Sequence, residues 1–97
     1  MSVSMIQLED LIQQEQGNLV SDMDGEKVMM SISSGKYFNL GSMGGVIWES
    51  IAPGQTVKQL IDDLTDRYEV GREECQTQVL GFLQQLKQEG LISLRHS

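Results

Sequence analysis

The chain has 97 residues, with 14 acidic against 7 basic side chains and a formal charge of -7. That length closes one hydrophobic core and leaves nothing for a second domain, and the acid excess repels phosphate, which argues against nucleic-acid binding. The single cysteine, Cys75, has no internal disulfide partner, no His/Cys cluster offers a metal cage, and no run approaches the roughly 20 apolar residues that span a bilayer.

A cytoplasmic protein without cofactor, metal or membrane partner is therefore expected, and the N-terminus shows no basic leader followed by an apolar run. In chain order, "LIQQEQ" is ambiguous between a strand and a frayed helix. "NLVSDMDGEKVMMSI" then places two β-prone runs around Asp24-Gly25, the dipeptide of a tight hairpin turn. In the second run Val28, Met30 and Ile32 form an apolar face, and Met29 and Ser31 fall on a mixed one. "SSGK" supplies a turn in which Gly35 can take positive φ, and "KYFNL" reads as a third strand, giving a meander.

From Ser42 the period becomes helical. Ser42 is the expected N-cap, Val46, Ile47 and Ile51 mark one side of a short helix, and Pro53-Gly54 ends it. Gly41, Gly44 and Gly45 are too scattered for a phosphate cradle, and their expected use is close approach of helix to sheet. Thr56 and Gln59 have the spacing of a capping box, and Val57, Leu60, Ile61, Leu64 and Tyr68 recur at helical spacing. Glu73 and Glu74 suit the start of a third helix, whose stripe is Cys75, Val79, Phe82, Leu83 and Leu86 and whose cap is Gly90. "LISL" is expected to pack back on the core and "RHS" to fray. The fold class is α+β: a winged helix-turn-helix in one domain, 1-97 with a core of about 18-94, in which an N-terminal three-stranded antiparallel sheet precedes three helices.

Catalytic constellations are missing. The one histidine, His96, is the penultimate residue and a poor general base, and Cys75 lies on an apolar stripe, as core cysteines do. Asp22, Asp24 and Glu26 lack the spacing of a calcium loop, so the turn explains them. Ser42 in "LGSM" would be the arm-bearing serine of a carrier protein, but carriers are helical throughout. Met23, Met29, Met30 and Met43 fall on or beside the sheet, where thioethers fill core gaps or line an adaptable binding surface.

Gly35, Lys36, Tyr37, Leu40, Gly45, Ile47 and Trp48, then Thr56, Val57, Leu60, Leu64, Tyr68 and Val70, then Val79, Phe82, Leu83, Leu86, Gly90, Leu91 and Ile92, follow one another at family spacing. In that order the chain, from about Leu19 to Ile92, resembles the PqqD-like family. These are peptide-recognition elements of pathways that modify ribosomally made peptides, and the free-standing form in lasso-peptide clusters is most similar. The family's Asn after the Leu of the central block is Gly41 here, which moves the expected cap to Ser42.

The resemblance implies a non-enzymatic protein that binds the leader of a precursor peptide as a strand added to the third β-strand, beside the third helix. It implies as partners a transglutaminase-like cysteine leader peptidase and a macrolactam synthetase, or, in cofactor and thioether-peptide pathways, a radical SAM enzyme. On this reading the peptide-binding residues are Lys36, Tyr37, Phe38, Asn39 and Leu40 on the strand with Cys75, Gln76, Val79, Leu80 and Leu83 on the helix. An open strand edge also pairs with its own kind, so a homodimer is a further expectation. The rival of another class, a winged-helix DNA-binding regulator, would carry clustered cations on its third helix, whereas this one sets Arg72 and Lys87 among Glu73, Glu74 and Glu89.

Overall fold

The computed structural model describes residues 6-95. In chain order these form β1 (Leu11–Gln14), β2 (Asn18–Met23), β3 (Glu26–Ser31), β4 (Tyr37–Leu40), α1 (Gly41–Ser50), β5 (Gln55–Thr56), α2 (Val57–Arg67), α3 (Arg72–Gln88) and β6 (Ile92–Arg95). The strands make two three-stranded sheets, ordered β2-β3-β4 and β5-β1-β6, with all pairings antiparallel.

The meander is the one expected. Met23 opposes Glu26 across a two-residue loop in which Asp24 and Gly25 both have positive φ (54° and 83°), the backbone that an Asp-Gly hairpin turn requires. The β3-β4 turn closes with Gly35 at φ 71°, its N–H donating to Ser31 O at 2.7 Å. Which face of β3 points inward differs from the alternation read in the sequence. Met29 and Ser31 are buried, whereas Ile32 is exposed and Val28 and Met30 are only half-buried. The reason is Lys27, on the inward face, whose aliphatic stem packs under α1 while its ammonium reaches Asp22 (2.6 Å) and Glu49 (2.8 Å) at the margin. A lysine thus acts as core cover, and the more apolar side of the strand is left outward.

Strand β4 runs into α1 with no loop. Gly41 takes φ 72°, a conformation Asn also tolerates, which accounts for the exchange of Asn for Gly at this position. Ser42 is not the cap: Asn39 Oδ1 accepts from the Gly41 N–H at 2.9 Å, and no cap side chain bonds the first turn of α1. Gly44 and Gly45 do permit close approach. A Cβ on Gly45 would lie 2.5 Å from Lys27 Cγ, and one on Gly44 would lie 3.1 Å from both Leu40 Cβ and the Phe82 ring. Gly45→Val is therefore expected to push α1 off the sheet and lower stability by about 1–3 kcal/mol, the usual cost of overpacking, read as a fall in the denaturation midpoint.

The second sheet was not anticipated. "LIQQ" is its central strand, with Leu11 opposite both Thr56 and Arg95 and Gln14 opposite Ile92. The closing "ISLR" is thus a paired strand, and Arg95, read as part of a frayed tail, is its last residue; His96 lies outside the described residues. Ile12, Leu91 and Ile92 bring this sheet into the core with Met29, Ile51, Leu60, Ile61 and Leu83.

Both long helices end as expected. Thr56 Oγ1 accepts from Gln59 N at 3.1 Å while Gln59 Oε1 accepts from Thr56 N at 3.0 Å, a complete capping box on α2. Gly90, at φ 75°, ends α3 in a Schellman motif, with Leu91 N donating to Leu86 O (2.9 Å) and Gly90 N to Lys87 O (3.0 Å). Among the described residues no helix is long and apolar enough to cross a membrane.

Candidate functional site

Strand β4 pairs on one side with β3 and, among the described residues, has no partner on the other. Ser31 N donates to Lys36 O at 2.9 Å, and Lys36, Phe38 and Leu40 share one phase of the strand. In an antiparallel ladder successive residues direct their backbone groups to opposite sides, so those of Phe38 face β3 and those of Tyr37 and Asn39 face the open edge. Side chains alternate on the same period but out of the sheet plane. Phe38 and Leu40 turn toward the helices, and Tyr37, 73% exposed, turns away.

Between this edge and α3 runs a groove of two compartments. The first, about 360 Å3, is walled by Tyr37, Phe38, Asn39 and Leu40 on the strand and by Phe82, Gln85, Gln88 and Glu89 on the helix. The second, about 240 Å3 and mainly apolar, continues toward the start of α3 between Met43, Ile47, Leu64, Tyr68, Val70, Cys75, Gln78 and Val79. Leu40 and Phe82 line both and form the sill between them. On the helix side, Gln78, Phe82, Gln85 and Glu89 recur at intervals of four, three and four, so one strip faces the groove and presents two amides and an aromatic ring along α3, with a carboxylate at its end.

Charge enters at the margins. Lys36 Nζ lies 3.4 Å from Glu89 Oε1, an exposed contact that links the foot of β4 to the end of α3 across the groove mouth. Arg72 lies 2.6 Å from Asp62, whose carboxyl is kept below its ordinary pKa by the hydrogen bond from Lys58 and next by that from Arg72. Cys75 is buried, and desolvation pushes its thiol above the ordinary value, against a smaller opposing pull from Arg72; near neutrality it is a protonated, apolar wall of the second compartment. Among the described residues no three His, Cys, Asp or Glu side chains converge as metal ligands.

A larger cavity, about 660 Å3, lies elsewhere, between the β1-β2 connection and the end of α1. Gln13, Gln14, Glu15, Gln16 and Asn18 make most of its wall, so it offers little apolar surface to hold a guest. Strand β2 is also an edge, but its Asn18 and Val20 share this polar cavity with Trp48 of α1 and border no apolar groove of the kind beside β4.

Of the residues singled out from the sequence, Tyr37, Phe38, Asn39, Leu40, Cys75 and Val79 line the groove, and Lys36 stands at its mouth. Leu83 is fully buried in the core. Gln76 and Leu80 are half-buried and lie about 120° and about 160° around α3 from Phe82, on the far side of the core stripe. Phe82, Gln78, Gln85, Tyr68 and Val70 are lining residues that the sequence does not single out, and Met43 lines the groove as one of the two uses open to its thioether. Phe82 sits at the edge of the apolar stripe of α3, half-buried, and the glutamines spaced around it are the sequence signal for its groove-facing side.

Known proteins resemble this chain in fold and, over most of its length, in family pattern. Residues 26–92 match the family described as "Coenzyme PQQ synthesis protein D (PqqD)". No curated protein matches the sequence. Among solved structures, "TbiB1 in Complex with the TbiA(beta) Leader Peptide" is similar with a TM-score of 0.76 at 23% identity, over 84% of this chain and 94% of that one. "Lasso peptide synthetase B1 complexed with the leader peptide" is similar with a TM-score of 0.74 at 22% identity, over 84% of this chain and 96% of that one. At such identities the likeness shows the fold.

Proposed function

The chain belongs to the PqqD family, and from that premise we propose that it binds the leader segment of a ribosomally made precursor peptide as a fourth strand on β4. The observation that carries this reading is the coincidence of an unpaired strand edge with an apolar groove of two compartments along α3. Main-chain pairing to Tyr37 and Asn39 supplies affinity that is indifferent to sequence, and alternate guest side chains entering the groove supply selectivity. An apolar or aromatic side chain suits the compartment between Met43, Tyr68 and Cys75, and the glutamine strip of α3 can hydrogen-bond polar guest groups.

The protein delivers the bound peptide without chemistry of its own to a leader peptidase of the transglutaminase-like cysteine class and to a macrolactam synthetase, as in lasso-peptide formation. Both similar solved structures are of B1-type proteins holding leader peptides, which supports the lasso branch over a radical SAM partner. The acid excess and the engagement of Arg72 and Lys36 by carboxylates count against a DNA-binding role.

A fluorescein-labelled leader peptide titrated with the protein is expected to show saturable anisotropy, and the protein is expected to accelerate leader removal by the purified peptidase. No saturable binding, or cleavage of the precursor by this chain alone, would contradict the reading.

A further inference from the structure

Gly81 is a glycine that the fold itself does not require. It lies in the interior of α3, where glycine in place of alanine weakens a helix, and a Cβ built on it would meet no atom of the described residues within 4 Å. The other helical glycines differ. A Cβ on Gly44 or Gly45 would press on Phe82 or Lys27, and Gly41 takes positive φ at the start of α1. Gly71 precedes α3 as its N-cap, a position glycine suits. The loss of helix stability at Gly81 is offset by nothing within the chain, so its use lies toward a molecule that the chain receives.

Its place on α3 says which molecule. At 100° per residue Gly81 falls between Gln85 and Gln88, about 40° from the first and about 20° from the second, and both line the groove. Gln78, which lines the other compartment, stands about 4.5 Å before it along the axis and Gln85 about 6 Å after it. The next residue, Phe82, forms the sill between the compartments with Leu40. A strand paired with Tyr37 and Asn39 sends alternate side chains into the groove, so the residue between two of them carries the main chain over that sill. The added strand is itself a new edge, whose outward N–H and C=O groups need partners. Gln78 and Gln85, on either side of Gly81, offer amides that both donate and accept.

Resting on the strand-addition reading, we propose that Gly81 is the seat of the bound peptide's main chain on α3. The guest crosses from one compartment to the other against the bare helix backbone at Gly81, and Gln78 and Gln85 hydrogen-bond its outer edge on either side. Width at this point, set by the missing side chain, decides whether an extended chain fits between β4 and α3.

The test uses the full chain and the fluorescein-labelled leader peptide, with anisotropy for affinity and thermal melts for folding. Gly81→Ala is expected to raise the melting midpoint by about 2–8 °C, because alanine is the better helix former, yet to weaken leader binding by about two- to fivefold. Gly81→Leu is expected to melt no lower than the unsubstituted protein and to bind about tenfold or more weakly, its side chain filling the seat. Gln84→Leu is the control: it puts the same side chain on an exposed part of α3, about 100° from Gln85, and is expected to keep affinity within about twofold. Leader affinity unchanged by Gly81→Leu would overturn the proposal. So would a loss as large with alanine as with leucine, since helix flexibility rather than space would then be the use of the glycine. Absence of leader binding by the unsubstituted protein overturns the groove and this seat with it, whereas binding that Gly81→Leu does not disturb overturns the seat alone.

Discussion

Replacing Tyr37 with proline is expected to weaken leader binding by roughly 10- to 100-fold while the protein stays folded. Tyr37 is the first residue of β4, and its N–H faces the open edge rather than β3. Proline is tolerated at the first residue of an edge strand, and the residue before it is held extended, which suits Lys36 on its way into the strand. The substitution therefore takes nothing from the β3-β4 ladder. It removes one donor to the guest and leaves a guest carbonyl unsatisfied, a loss of about 1–3 kcal/mol in an interface closed to water. Tyr37→Ser is the matched control: it keeps the N–H, deletes the exposed ring, and is expected to weaken binding by less than tenfold. Anisotropy titrations read the affinities, and thermal melts confirm that both variants fold. Equal effects of serine and proline would show that the ring, not the backbone, carries the interaction.

Leu83→Ala is expected to act on stability instead. Leu83 is fully buried among the core residues of α3 and its neighbours. Truncating a buried leucine costs about 2–5 kcal/mol through lost transfer free energy and the cavity left behind. For a domain of this size each kcal/mol moves the melting midpoint by roughly 4–8 °C, so a fall on the order of 10–30 °C is expected. Because Leu83 does not line the groove, leader affinity measured well below the new midpoint should stay within about twofold of the original. A large drop in affinity with an unshifted midpoint would place Leu83 at the peptide instead of in the core.

What could be read in the sequence was set by local signals. The Asp24-Gly25 turn, the Thr56/Gln59 capping box and the Gly90 cap each depend on a few adjacent residues, and all three are present. The second sheet depends on pairing between Leu11–Gln14 and Ile92–Arg95, about eighty residues apart in sequence. Leu11–Gln14 lacks the alternation of a half-buried strand, and Ile92–Arg95, which does alternate apolar and polar, is only four residues long and carries no local sign of its partner. The apolar face of β3, Val28, Met30 and Ile32, is not its inward one, because Lys27 on the mixed face covers α1 with its stem and holds two carboxylates, a use of lysine that apolar alternation does not register.

The strand half of the groove was legible and the helix half only partly so. An aromatic strand running without a loop into a glycine-bearing helix is visible in "KYFNLGSMGG", and the structure puts β4 at the edge of its sheet. On α3, residues next to the apolar stripe could face either way. Gln76 and Leu80 flank it on one side and Gln78, Phe82 and Gln85 on the other, and only the position of β4 decides which flank meets the groove.

Backbone phase along β4 offers the most direct measurement. Amide hydrogen exchange with and without the leader peptide should show Tyr37 and Asn39 slowing on addition of peptide, while Phe38, already bonded to β3, changes little. Unaltered exchange at Tyr37 and Asn39 under saturating peptide would contradict strand addition at this edge.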